Sequence, residues 1–380
     1  MSRLSFEDAR ARLRALAPLA ARSVPISEAV GATLAEDVRA LADIPHFASS
    51  AMDGWAVAGE GPWRIVPASG ALAPATASEI VTGGVIPDGA TSVLRSEAGL
   101  AVDGTLRADD PDGREVRPGR HIRPAGEEAR AGDTLVAAGS LLTPPRVAVA
   151  AVAGHDSLVV RRPEVDLLFT GDEVDVAGMP PAGRVRDAFG PQLPAVVAGL
   201  GGLAVRGRRI GDDDAGTLAA LDDAAGDVLV TTGGTGRSGA DRVRAALLDR
   251  ADEVLLDGIA VRPGGPTLAV RLRDGRIALA LPGNPLAAMV ALVALGGPLL
   301  GALAGRKPDE PRHPTVAAEV PGHPHATALR AVRTTAEGVV AAGFDGSAML
   351  RGLADADGIL VVPPGGLAAG ASGEVVALSW

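Results

Sequence analysis

At 380 residues the chain is too long for one ordinary hydrophobic core, so two to four domains are expected. Its 47% hydrophobic and 22% charged content is that of a globular protein and not of a disordered one. A formal charge of −10 with no basic stripe argues against a nucleic-acid partner, and the lack of cysteine excludes disulfides, thiolate catalysis and zinc–sulfur sites.

The N-terminus, "MSRLSFEDARARLRALA", lacks the apolar centre of a signal peptide, and a cytoplasmic location is expected. It reads as an amphipathic helix with Ser5 and Asp8 three apart in a capping arrangement. A second helix is expected over "SEAVGATLAEDV" with Ser27 as its N-cap. Residues 45–131 break into short apolar pieces separated by Gly, Pro and Asp, the pattern of a small β-rich domain. Longer apolar runs return over 132–160, where Pro144 opens a helix.

From about 163 to 304, strand and helix alternate. "EVDLLFTGDE", "LAVRGRRIGDDD", "DVLVTTGGTG" and "IALALPGNP" each read as a strand running into a loop. Helices follow over about 188–200, "AGTLAALDDAA", "DRVRAALLDR" and "LAAMVALVALGGPLL". Repeated β–loop–α units imply a mostly parallel sheet with its ligand outside the carboxyl ends of the strands. After the linker "KPDEPRHP", residues from 312 onward read as a small closed or half-closed β domain. Gly, Pro or a charge interrupts every apolar run before it reaches the length of a membrane span, so no membrane partner is expected.

Four loops leave the same sheet edge: Thr170-Gly171-Asp172-Glu173, Gly211-Asp212-Asp213-Asp214, Gly233-Gly234-Thr235-Gly236 with Asp241 beyond it, and Pro282-Gly283-Asn284-Pro285. A Gly-Gly pair at a strand end can turn successive backbone N–H groups inward as an anion nest, and the following helix points its positive end there. Taken alone, the "GGTG" loop fits a tight β–α turn equally well, and each acid fits a helix cap. Glu173, Asp212 and Asp241, however, come from three strand ends at one edge. Carboxylates beside a phosphate repel it unless a hard cation such as Mg²⁺ bridges them. Spacing alone assigns no role to Asp53 in "SSAMDGWAV" or to Thr82 in "VTGGVIPDGA", and His323 and His325 read as loop residues.

These segments, in this order, resemble the molybdopterin molybdenumtransferase family. The resemblance runs nearly the whole length, through "SSAMDGWAV", "VTGGVIPDGA", "RPGRHIRPAGEEARAGD", "RRPEVDLLFTGDE", "DVLVTTGGTGRSGAD", "VRPGGP", "LPGNP" and "DGSAMLRGLADADGILVVP". It implies a multidomain α/β protein: an elongated N-terminal domain (1–44 plus 132–162), a β-rich lid domain (45–131), a central mostly parallel α/β molybdopterin-binding domain (163–304) and a C-terminal β-barrel-like domain (312–380). It also implies a homodimer with the active site at the subunit interface, Mg²⁺ as cofactor, and adenylyl-molybdopterin and molybdate as small-molecule substrates. The implied catalytic residues are Asp53, Thr82, Glu173, Asp212 and Asp241, with Asp213 an alternative to Asp212. Glu173, Asp212 and Asp241 would hold the metal. Substrate binding would fall to Thr170, Gly171, Asp172, the Gly233–Gly236 loop, Arg262, the Pro282–Pro285 loop and Ser347.

The chain departs from the family pattern in places. Gly258 and Gly265 stand where the family has lysines, Ala188 where it has asparagine, and Glu128 where it has aspartate. Two readings result: an active enzyme that inserts molybdate and releases AMP, and a diverged paralogue that binds molybdopterin or acts as a scaffold without efficient turnover. The first is preferred, since the acids are kept.

Overall fold

The computed structural model describes residues 3–68, 70–236, 242–344, 346 and 349–380. Two compact units emerge: one runs to Glu36 and adds Ala138–Thr143 and Leu158–Trp380, and the other is Asp37–Ala137 with Pro144–Ser157. The first helix, α1 (Phe6–Arg14), is capped as its sequence suggests, the Asp8 N–H donating to Ser5 Oγ at 3.1 Å. It buries Phe6, Ala9 and Leu13 on one face.

The helix expected from Ser27 onward does not form. Ile26–Glu28 makes one 3₁₀ turn, Gly31 takes a left-handed φ of 84°, and Thr33–Leu34 pairs antiparallel with Arg161 and Val160. Strand pairing satisfies this backbone and buries Ala32 and Leu34, which outweighs a weak helical preference.

The smaller unit centres on a six-stranded sheet in the order Ser92–Arg95, Gly54–Val57, Thr76–Ile80, Trp63–Ile65, Thr105–Ala108, Gly99–Val102. Val57, Trp63, Leu94 and Leu106 form its core, and the Trp63 indole N–H donates to the Gly59 carbonyl at 3.1 Å. Helix α2 (Pro144–Val152) opens at Pro144 as expected.

The larger unit is built on six strands: β1 (Glu164–Phe169), β2 (Leu203–Arg209), β3 (Val228–Thr232), β4 (Ala251–Asp257), β5 (Leu268–Leu272) and β6 (Ile277–Leu281). Their order is β2-β1-β3-β6-β5-β4. The first four neighbours are parallel, and β5 and β4 extend the sheet antiparallel. The chain switches direction of travel between β1 and β3, which opens a crevice at their carboxyl ends. Helix α3 (Leu193–Gly199) is shorter than expected because Asp187 Oδ1 accepts the Phe189 and Gly190 N–H groups and holds that stretch in a turn. Helices α4 (Asp214–Asp223) and α5 (Arg242–Arg250) follow β2 and β3.

The apolar run after β6 corrects one expectation: Gly and Pro do not interrupt it. Helix α6 (Pro285–Ala291), a π turn (Leu292–Gly296) and α7 (Gly297–Leu303) make 19 continuous helical residues, apolar and long enough to cross a membrane. The π turn absorbs the Gly-Gly-Pro sequence, and the run is 72% buried as a core helix, with α1 packed on α7. A further sheet joins Val261–Arg262, Thr327–Thr335, Gly358–Val362 and Val375–Ala377 around Val316, Val332, Leu360 and Val362.

Candidate functional site

Backbone and side-chain hydrogen bonds lace together the loops at the carboxyl edge of the sheet. Thr170, directly after β1, donates its hydroxyl to the Thr232 carbonyl at 2.7 Å. The next residue along β3, Gly233, donates its N–H to the Leu281 carbonyl at the end of β6 at 3.0 Å. Between β1 and β2 the bond is reciprocal: Asp172 N–H donates to Asp212 Oδ2 at 3.1 Å, and Asp212 N–H to Asp172 Oδ1 at 3.3 Å. Thr170, Asp172, Asp212 and Gly233 therefore share one rim.

Glycine is required in this lacing. Gly233 and Gly234 take φ of 88° and 63°, and a Cβ at Gly233 would lie 2.4 Å from Thr170 Oγ1. The bare strand end lets the two loops approach, and the Arg244 N–H in the first turn of α5 donates to the Gly234 carbonyl at 3.1 Å. The helix start is thus tied to the glycine loop. Gly283 packs in ordinary contact, its Cβ position lying 3.5 Å from the Gly233 Cα. Asn284 caps α6 through the Ala287 N–H at 3.1 Å, with Pro282 and Pro285 on either side of the turn. Thr235 is buried and Gly236 half-buried beside it.

The carboxylates at this rim fall into two kinds. Asp213 is committed to capping α4, accepting the Gly216 N–H at 2.7 Å. Asp187, at 2.7 Å from Arg209 and accepting two backbone N–H groups, is also fully occupied. Burial alone would raise its pKa, but those bonds and the Arg209 charge bring it below the usual carboxylate range. Glu173 differs. Its side chain makes no hydrogen bond to any described residue, and its Oε2 lies 2.9 Å from the Cβ position of Gly171. Asp212 accepts one backbone N–H and nothing stronger. Two arginines stand by. Arg184 grips Asp175 and donates to the Asp172 carbonyl at 2.9 Å, while Arg242 pairs with Asp214. Asp214 raises the Arg242 pKa, and Asp213 and Asp212 add to it. Sequence reasoning missed both arginines; neither sits in a recognisable motif.

Asp241 and Ser347 lie outside the described residues. Among the described residues no three His, Asp or Glu side chains close around one point. An open set of oxygen donors at Glu173 and Asp212 nonetheless suits Mg²⁺, which keeps several waters and takes other ligands from phosphate.

Arg262 is exposed on its short strand, followed by a loop in which the Cβ position of Gly264 lies 3.6 Å from the Ala287 carbonyl in the first turn of α6. The two lysine departures have structural settings of their own. Gly258 takes a left-handed φ of 74°, where a lysine would be strained, and a Cβ at Gly265 would meet the Val261 carbonyl at 3.0 Å. Ala188 offers only its carbonyl, to Gln192 Nε2 at 3.0 Å.

In the smaller unit, Asp53 and Thr82 are brought together: the Thr82 N–H donates to Asp53 Oδ1 at 2.6 Å. That backbone bond first, and the Thr82 hydroxyl second, hold the Asp53 carboxyl below its usual pKa. Nearby, the Arg95 fork donates Nε and Nη2 to Glu115 at 2.9 and 2.7 Å, and His121 Nε2 lies 3.2 Å from the same carboxylate. Ser96 N–H donates to the Asp53 carbonyl and Ala51 N–H to the His121 carbonyl, so this ion-paired group frames the Asp53 loop. Glu115 is one of four acids in a polar stretch with Asp109, Asp110 and Asp112, and no sequence signal sets it apart.

A parallel sheet with glycine-rich strand ends and acidic loops at its switch point defines an α/β domain of the kind that takes its ligand at the carboxyl edge. Comparison with known proteins narrows the class. Residues 4–154 match the MoeA N-terminal region (domain I and II), 166–302 a probable molybdopterin binding domain, and 315–378 the MoeA C-terminal region (domain IV). The chain is 32% identical to molybdopterin molybdenumtransferase 2 of Mycobacterium tuberculosis, covering 92% of both chains. It is also 32% identical to the molybdopterin molybdenumtransferase of Synechococcus elongatus over 74% of this chain and 75% of that one. The fold matches a solved molybdopterin biosynthesis MoeA protein of Pyrococcus horikoshii with TM-score 0.73 and 25% identity over 100% of both chains. The chain belongs to the molybdopterin molybdenumtransferase family.

Proposed function

We propose that this chain inserts molybdate into adenylyl-molybdopterin and releases AMP, as a transferase of molybdenum cofactor biosynthesis. The observation that carries the reading is the convergence of Thr170, Gly233, Gly283, Asp172 and Asp212 at one sheet edge through the bonds described above. The substrate carries a pyrophosphate, and cleaving it calls for charge neutralisation and positioning more than for covalent chemistry. With the Gly233 N–H committed to the Leu281 carbonyl, the amides of Gly234–Gly236 bind its terminal phosphate, and the Thr170–Asp172 and Pro282–Pro285 turns shape the walls. Arg262 supplies a cation for the oxyanion, and Ser347 a hydroxyl.

Mg²⁺, held by Glu173 and Asp212 with Asp241, would neutralise phosphate charge when bound. With glycine at each departed lysine position, Arg262 is the family-matched cation, while Arg184 and Arg242 near the rim are already paired with Asp175 and Asp214. Asp53 and Thr82 take part as a bonded pair whose carboxylate stays ionised. We further propose a cytoplasmic homodimer with small-molecule substrates and neither a nucleic-acid nor a membrane partner. No observation favours the non-catalytic reading. The test is to give purified protein adenylyl-molybdopterin and molybdate and to follow AMP. Release of AMP coupled to molybdate supports the proposal; precursor binding without AMP release would overturn it.

A further inference from the structure

We infer that a cleft at the amino-terminal edge of the central sheet binds a small organic anion, a carboxylate or phosphate ester with an apolar body, through Arg306, Arg14 and the Nε of Arg10. The cleft, of about 640 Å³, is enclosed within the larger unit by α1, the ends of α3 and α7, the segment 306–312 and the last strand. Helix α3 reaches it at Gly199 and Leu200, just before β2 begins, so it lies at the opposite end of the strands from Thr170 and Gly233.

Two buried polar atoms in this cleft lack a partner, and a half-buried guanidinium stands beside them. Arg10 is 9% exposed, and its Nη1 bonds Glu374 at 2.6 Å, yet its Nε is buried without an acceptor. The Ser379 hydroxyl is buried and unpartnered as well. Arg306 is half-buried and makes no side-chain hydrogen bond to any described residue; its Nη1 lies 3.1 Å from the Cβ position of Gly201. Burial pushes the Arg306 pKa down, only partly offset by Asp309. Arg14, exposed at the rim of the cleft, is lowered by burial of part of its side chain and by the neighbouring Arg10 charge.

A guanidinium taken out of water is costly unless an anion or strong acceptors meet it. With Lys307 and Arg312, five cations line the cleft against three acids, Asp309, Glu310 and Glu374, in a chain of net charge −10. Water could satisfy Arg10 Nε and the Ser379 hydroxyl, but it would leave the half-buried Arg306 charge only partly offset by Asp309, beside the exposed Arg14. The volume exceeds that of a bare oxyanion, and Leu16, Leu200 and Val293 line part of it, which calls for an apolar body on the ligand.

Isothermal titration of the full chain with hexyl phosphate and with hexanoate tests this, inorganic phosphate serving as the headgroup alone. At least one six-carbon probe should bind more tightly than inorganic phosphate, and the preferred probe tells phosphate from carboxylate. Arg306→Gln should weaken binding about tenfold or more, the loss of one charge-assisted contact. Arg14→Gln, at an exposed position, should weaken it several-fold and stands in if the Arg306 variant fails to fold. Gly233→Ala, altered at the far edge, should leave the affinity unchanged. Absence of binding by both probes, affinity unchanged from the parent chain in both the Arg14 and Arg306 variants, or loss of binding in Gly233→Ala would each overturn the proposal.

Discussion

Two carboxylates, Glu115 and Glu173, show how the same side chain serves different ends in the two units. Glu115 is 8% exposed and saturated by the Arg95 fork and His121, which hold it below its usual pKa. Arg95 is the larger influence there, and burial opposes it. Glu173, at the rim of the parallel sheet, bonds to no described residue and curls back over Gly171. A saturated carboxylate is scaffold, whereas one left without a partner among well-bonded neighbours is available to a ligand. Asp187 and Asp212 repeat the contrast within the larger unit.

The largest expected effect separates these roles. Glu173→Gln should cut AMP release about 10²-fold or more while the melting temperature stays put, as assayed by turnover beside thermal denaturation. Unchanged turnover would place Glu173 with the scaffold. Gly233→Ala should be next: the left-handed backbone and the Thr170 hydroxyl leave no room for a methyl group, at a cost of roughly 1–3 kcal/mol visible in chemical denaturation. Glu115→Gln should show the converse of Glu173→Gln, with the melting temperature of the smaller unit down by roughly 5 °C or more and turnover per folded molecule kept. The gentlest probe is pH. The Asp53 carboxyl is depressed in the fold, so its bond to Thr82 is at full strength above the ordinary carboxylate range and is lost as pH falls through the lowered value. A pH–rate profile should therefore hold its acid limb below the usual aspartate range, and Asp53→Asn should remove that feature.

The α/β part of the fold is legible in the sequence because buried parallel strands read as apolar runs that stop at Gly or Asp. β1 and β3 do so and β6 stops at Pro282-Gly283, and the helix after β3 buries Val243 and Leu247 four residues apart. The region after Ser27 misleads because a helical pattern of alanine and leucine yields to pairing with a strand more than a hundred residues away. Long-range partners are what a local pattern cannot contain. The same limit hides Glu115, whose Arg95 and His121 partners sit on separate segments, and Arg184, which meets Asp172 only through a loop. The candidate site itself was legible as four loops at one edge, since topology alone brings strand ends together. Which acid caps a helix and which stays available was not: Asp212 and Asp213 are neighbours of one type, and only Asp213 reaches the Gly216 N–H.

The most direct measurement is AMP release by the metal-stripped protein supplied with adenylyl-molybdopterin and molybdate, followed by titration of Mg²⁺. The proposed metal-assisted site, in which the Glu173 side chain bonds to no described residue, predicts negligible release until Mg²⁺ is added, then saturable recovery that Glu173→Gln abolishes. Full release in the absence of any divalent ion, or recovery unaffected by Glu173→Gln, would contradict the assignment of this rim as a metal-assisted phosphate site.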